Sequence, residues 1–194
     1  MNGRHAANCG FTLIELMVTV TLVAIVLAVG VPSFTTFQRN AELTSTTNSL
    51  LAALNAARGE AMKRGMNAMV VPADGANWSS GWVAFVDKNR SQAYEPDSDI
   101  TIMTSDPLPA YLAVVGNGFT AESLPYILYD ASGYSKQKNG GFGASTLEIA
   151  RNDVAGTGSL PQTRRIKIAS TGRVRVCTPK TTTDPQCSTS ASQL

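Results

Sequence analysis

Histidine is almost missing from this chain: its 194 residues hold one, His5, and only three cysteines, Cys9, Cys177 and Cys187. Activating a serine or cysteine nucleophile in the usual way takes an imidazole to accept its proton, so that chemistry has one candidate base, close to the N-terminus. Charge is sparse too, at 15% of residues, and nearly balanced, with 16 basic against 14 acidic side chains. Net charge therefore identifies no partner, and any electrostatic argument has to come from local clustering. Intrinsic disorder is excluded by the 43% of apolar residues.

What the chain does have is one long apolar run behind a short polar leader. The leader carries Arg4 and His5 and ends at Gly10; from Phe11 to Val31 the only charge is Glu15. A helix of that length rises roughly 30 Å, about one bilayer core. An unpaired carboxylate near its start would be costly to bury, so Glu15 needs a reason to be there. A secretory signal places its cleavage site after the apolar core. Here the plausible cut, between Gly10 and Phe11, precedes the core and would leave it on the mature protein.

Through Gly10, Phe11 and Glu15, in the run Gly-Phe-Thr-Leu-Ile-Glu-Leu, the chain resembles the type IV pilin and type II secretion pseudopilin superfamily. The resemblance implies cleavage after Gly10 by a prepilin peptidase and N-methylation of Phe11. It also implies a stay in the inner membrane with the C-terminal domain in the periplasm, then assembly into a pilus with other major and minor pilins. There Glu15 would neutralise the terminal amine of Phe11 in a neighbouring subunit.

Such a cut discards His5, Cys9 and Arg4, leaving 15 basic against 14 acidic residues. A mature chain without histidine can build neither a histidine-dependent triad nor a His-containing zinc site, and two cysteines are too few for a structural zinc. The expectation is a protein that is not an enzyme and carries no metal or cofactor. In an oxidising periplasm Cys177 and Cys187 read as a disulfide clamping the C-terminal loop; the alternative is two free thiols.

The helical pattern continues past Pro32, which marks either a kink or the membrane exit. Leu43, Leu50, Leu54, Ala57 and Ala61 form one apolar stripe, and Gly65 follows Lys63 and Arg64 where a C-terminal cap belongs. The spacing predicts one helix over 11–65, its segment 11–31 transmembrane, ahead of a β-rich domain over 66–194. Strands are expected at 67–72, 81–87, 99–103, 110–115, 125–130, 146–151, 163–169 and 173–177. In the second of these, Trp82, Ala84 and Val86 share one face and Val83 and Phe85 the other. The Gly-Trp-x-x-Phe-x-Asp-x-Asn pattern from Gly81 to Asn89 narrows the resemblance to the GspH/FimT group of minor pilins and pseudopilins. That implies an α+β, type IV pilin-like fold: a long N-terminal helix packed on an antiparallel β-sheet domain.

Three loops look like sites without their context. Asp87–Ser91 alternates oxygen side chains as a calcium loop does, but lacks the central glycine and the correctly spaced terminal glutamate, and reads as a solvated hairpin turn. Gly116–Ala121 and Gly140–Gly143 carry glycines without a following helix and read as flexible loops.

The segment 154–183 holds Arg164, Arg165, Lys167, Arg173, Arg175 and Lys180 and no acidic residue. A hairpin with the three-residue loop Ser170-Thr171-Gly172 would pair Ile168 with Val174, Lys167 with Arg175 and Ile166 with Val176. Ile166, Ile168, Val174 and Val176 then face the core, while Arg165, Lys167, Arg173 and Arg175 crowd the opposite face. Like charges across a strand pair repel, and phosphates would relieve them. Gly172-Arg173-Val174-Arg175 also resembles the Gly-Arg-x-Arg motif of the FimT branch, whose members bind DNA in natural transformation. This implies contact with the backbone of double-stranded DNA, led by Arg173 and Arg175 and supported by Arg165, Lys167 and Gly172. The alternatives are a GspH-like pseudopilin of a type II secretion system, or a pilus-assembly minor pilin that does not touch DNA.

Overall fold

The structure, a computed structural model, describes residues 11–190, which fall into two units, one up to Ala41 and one from Glu42. The leader residues, Gly10 and Cys9 among them, lie outside the described residues. The first unit is the apolar part of helix α1 (Leu13–Arg64). Thr12 caps it, its hydroxyl accepting the Glu15 amide at 3.2 Å, as a Ser/Thr cap with glutamate three residues on favours. Its large apolar side chains, from Phe11 to Phe37, are exposed on every side. By length and composition this helix can cross a membrane. Helix α1 runs through Pro32 without interruption, and the hydroxyls of Thr35 and Thr36 bond the Pro32 carbonyl.

The second unit begins inside α1. Leu43, Thr47, Leu50, Ala53, Leu54, Ala57 and Ala61 are buried on one stripe, which includes all five positions expected from spacing and adds Thr47 and Ala53. Thr47 satisfies its buried hydroxyl on the Leu43 carbonyl at 2.7 Å. The helix ends as expected, with Gly65 at φ 65° and the Met66 amide reaching back to the Ala61 carbonyl.

Among the described residues nine strands follow: β1 (Asn67–Pro72), β2 (Trp82–Asp87), β3 (Ile100–Thr104), β4 (Leu112–Gly116), β5 (Ile127–Tyr129), β6 (Ser135–Lys136), β7 (Ser145–Arg151), β8 (Thr163–Ile168) and β9 (Val174–Cys177). They form two antiparallel sheets, ordered β3-β2-β1-β5-β6 and β4-β7-β8-β9. The helix stripe, Met69, Val70, Phe85, Ile127 and Tyr129 of the first sheet, and Leu147, Ile149, Ile166 and Ile168 of the second share one core.

Several loops are more ordered than the sequence suggests. All six residues of β2 are buried, so both faces of this inner strand are covered, Tyr94 lying 5.1 Å from Phe85 between ring centres. Asp87 is no solvated turn residue: its buried carboxylate accepts the Ser91 and Gln92 amides at 3.0 Å each and shapes the loop that follows. Gly118–Ala121 forms a 3-10 turn that buries Phe119 and Thr120, with Phe119 stacked on Tyr126. Its anchor is Thr120, whose hydroxyl hydrogen-bonds within the turn, a polar contact that glycine spacing alone does not reveal.

Candidate functional site

The basic hairpin has the expected register: Ile168 opposite Val174, Lys167 opposite Arg175, Ile166 opposite Val176. Its tip closes through the Ala169 amide on the Arg173 carbonyl at 2.9 Å and the Gly172 amide on the Ala169 carbonyl at 2.8 Å. Ile166 and Ile168 are fully buried, while Val174 and Val176, on the sheet's edge strand, are half-buried.

The tip is wedged against the rest of the domain. Gly172 has φ 79°, and a Cβ there would stand 1.8 Å from the Gly133 carbonyl oxygen. From α1, Arg58 donates Nε to that same carbonyl at 2.9 Å and Nη2 to the Thr171 carbonyl at 3.1 Å. Gly172 is buried, so it shapes and seats the turn and offers no surface to a ligand. Arg173, next to it, is exposed.

The opposite face is where structure and expectation part. Arg165 is 7% exposed and Lys167 0% exposed, so half of the expected basic surface is interior. What covers it is the C-terminal segment around the second cysteine of the predicted disulfide. Cys177 and Cys187 are joined, with Cα atoms 5.8 Å apart. From there four consecutive residues cross the sheet face, each held by a different side chain. Arg175 of β9 donates to the Gln186 carbonyl at 2.7 Å, Arg165 of β8 to the Cys187 carbonyl, Lys167 to the Ser188 hydroxyl at 3.5 Å, and Asn117 to the Thr189 carbonyl. Arg165 also pairs with Glu148 of β7 through Nε at 2.5 Å. The repulsion inherent in the hairpin is thus relieved internally, by one carboxylate and a row of oxygens. Burial, then the charges of Arg175 and Arg165, still hold the Lys167 ammonium below the usual lysine range.

The covering loop has its own organiser in Asp184. Its carboxylate accepts the amides of Lys180 (3.1 Å), Gln186 (3.0 Å) and Cys187 (3.3 Å). The Lys180 amide foremost, then those of Gln186 and Cys187, hold its pKa below the ordinary 3.8. A depressed carboxylate adds stability that is present above the unfolded value and lost as pH falls through the folded one. Hydrogen exchange at the Lys180 and Gln186 amides should therefore lose protection below about pH 3.8, and Asp184→Ala should remove it at neutral pH; the Cys187 amide keeps the Asp184 main-chain carbonyl as a second acceptor. Protection unchanged in that variant would show that the disulfide alone shapes the loop.

Sequence reading missed Asn117, Glu148 and Asp184. Only Asp184 leaves a local signal, since Asp-Pro marks a turn; Glu148 and Asn117 reach the hairpin only through the sheet order.

Residues 46–172 match the family model described as Type II transport protein GspH. The chain is a member of the GspH family. Residues 5–31 also match the prokaryotic N-terminal methylation motif, so Gly10, Phe11 and Glu15 lie within a matched segment. This places the chain among the minor pilins and pseudopilins. Among solved structures it is similar to the type IV minor pilin FimU of Pseudomonas aeruginosa in two crystal forms. One matches with a TM-score of 0.55 and 21% identity over 75% of this chain and 98% of that one. The other gives 0.52 and 19% over 71% and 98%. At such identity the likeness establishes the fold. No curated protein matches the sequence.

Proposed function

We propose that this GspH-family member is a minor subunit of a type IV pilus that contacts double-stranded DNA during uptake. A prepilin peptidase would release it after Gly10, and residues 11–31 would hold it in the inner membrane with its C-terminal domain in the periplasm. It would then enter the fibre among major and minor pilins, Glu15 meeting the terminal amine of a neighbour. Its work is assembly and binding, without catalysis. The methylation-motif match supports the processing step. The observation carrying the DNA half is Arg173, exposed beside a tip that Gly172 and Arg58 hold rigid.

The second reading, a pseudopilin of a type II secretion system, is favoured by the burial of Arg165 and Lys167, which thins the exposed charge. Titrating the full chain, kept in a nonionic detergent, against a fluorescent duplex over a salt series separates the two. Binding should weaken with salt, and Arg173→Ala together with Arg175→Ala should lower the log–log slope by about 1 to 2. A double variant that binds like the parent removes the hairpin from the DNA reading. A parent that binds no duplex at low salt leaves the secretion subunit or a pilus-assembly minor pilin that does not touch DNA.

A further inference from the structure

The row of oxygens over the basic strip has a chemistry of its own. Two main-chain carbonyls, Gln186 and Cys187, and the Ser188 hydroxyl sit on Arg175, Arg165 and Lys167 in strand order. These are the contacts that successive phosphate oxygens would make with the same cations. The strap carrying them has little holding it beyond polar contacts. Within 178–190 only Pro179 and Cys187 are buried, and Cys187 is the residue that ties it to β9. Beneath it lies the buried Lys167, flanked by the like charges of Arg175 and Arg165.

We propose that residues 178–190 are a releasable strap over a latent phosphate-binding strip formed by Lys167, Arg175 and Arg165, with the Cys177–Cys187 bond as its catch. The catch opens by reduction: a dithiol gives two electrons and two protons, the S–S bond breaks to two thiols, and the dithiol becomes a disulfide. Freed at Cys187, the strap loses its anchor beside Arg165, and the uncovered cations take phosphate oxygens in place of the carbonyls. Glu148 stays on Arg165, so the gain falls mainly to Lys167 and Arg175. The inference deepens the DNA reading by adding a second, conditional contact area next to Arg173.

The test compares the oxidised full chain in detergent with the dithiol-reduced one, and with a chain ending at Thr178 that also carries Cys177→Ser. Acetylation by an amine reagent, mapped by mass spectrometry, should spare Lys167 in the oxidised chain and modify it in the other two, with exposed Lys63 modified equally in all three. Hydrogen exchange of the β8 amides should stay slow throughout. Inorganic polyphosphate and a short duplex are the two probes. Each should bind about tenfold tighter after reduction, with a salt slope steeper by about 2, and Lys167→Gln should cancel half that increase in slope. A gain for polyphosphate alone assigns the strip to free polyanions; a gain for both extends it to the DNA backbone. Lys167 still protected after reduction, or polyphosphate affinity unchanged, overturns the strap. Loss of β8 protection also overturns it, since the disulfide would then hold the sheet itself. Failure of the DNA reading looks different: the oxidised chain then binds no duplex.

Discussion

Replacing Gly172 by alanine should be among the most damaging single changes in this domain, at about 4 kcal/mol or more. Two costs coincide. The backbone sits at φ 79°, where a side chain alone costs roughly 1–2 kcal/mol. The added Cβ would also stand 1.8 Å from the Gly133 carbonyl oxygen and 2.9 Å from Arg58 Nε. Neither neighbour can yield freely. The Gly133 carbonyl belongs to a turn closed by the Gly133 amide on the Asp130 carbonyl and by the Ser132 and Tyr134 amides on the Asp130 side chain. The Ser135 amide meanwhile holds the Ser170 carbonyl at 3.1 Å, so the two turns are stitched on both sides of the contact. For a unit of this size the loss corresponds to a melting point lower by roughly 10 °C. Thr171→Ala, one position earlier and exposed, should stay within about 0.5 kcal/mol of the parent. Equal melting points for Gly172→Ala and the parent would show that the tip is not wedged. Where the melting point falls as expected, DNA affinity lost in Gly172→Ala is a consequence of structure, which is why the glycine of a Gly-Arg-x-Arg run is a poor probe of binding.

The parts of the fold legible in the sequence are those set by periodicity and by local turn chemistry. Leu43, Leu50, Leu54, Ala57 and Ala61 repeat at helical spacing because one stripe of α1 meets the core. The hairpin register follows from alternation around Ser170-Thr171-Gly172, since a slip of one residue would turn Lys167 and Arg175 into the core in place of Ile168 and Val174. The disulfide was readable from an even pair of cysteines. What alternation cannot show is what lies on the far face of a sheet. It places Lys167 and Arg165 opposite the core correctly, but "opposite the core" meant solvent only if nothing else packed there. The cover comes from residues 186–189, a polar stretch without periodicity, and is fastened by Asn117 and Arg165, far away in sequence. The division into two sheets escaped for a related reason. β6, two residues long, closes the edge of the first sheet, and nothing local separates β3 from β4.

Arg165 and Lys167 should therefore behave in opposite ways on substitution, and neither as solvated surface residues would. Arg165→Ala leaves the Glu148 carboxylate and the Cys187 carbonyl facing a cavity where a guanidinium had bonded both. Breaking a fully buried pair costs about 3–5 kcal/mol. The Glu148 side chain retains 27% exposure, so water recovers part of this and the expected loss is about 2–3 kcal/mol. Lys167→Met should cost less than about 1 kcal/mol, or stabilise, because it replaces a fully buried ammonium, flanked by Arg175 and Arg165, with an apolar chain of similar length. Its contact with Ser188, at 3.5 Å, is at the limit of hydrogen bonding and adds little to the loss. The sign of the pH dependence follows from the depressed lysine pKa. The cost of charging Lys167 in the fold is carried in full below its folded pKa and fades as pH rises from there toward the ordinary 10.5. Any advantage of Lys167→Met should accordingly be largest near neutral pH and shrink in alkali. Denaturant melts of both variants at neutral and alkaline pH read this directly. Two neutral outcomes would mean that the strip is open to water and free to meet DNA without any release. A large loss in Arg165→Ala beside tolerance in Lys167→Met would mean that the cations nearest the core serve the fold first, leaving Arg173 as the one the closed domain presents among those expected to bind DNA.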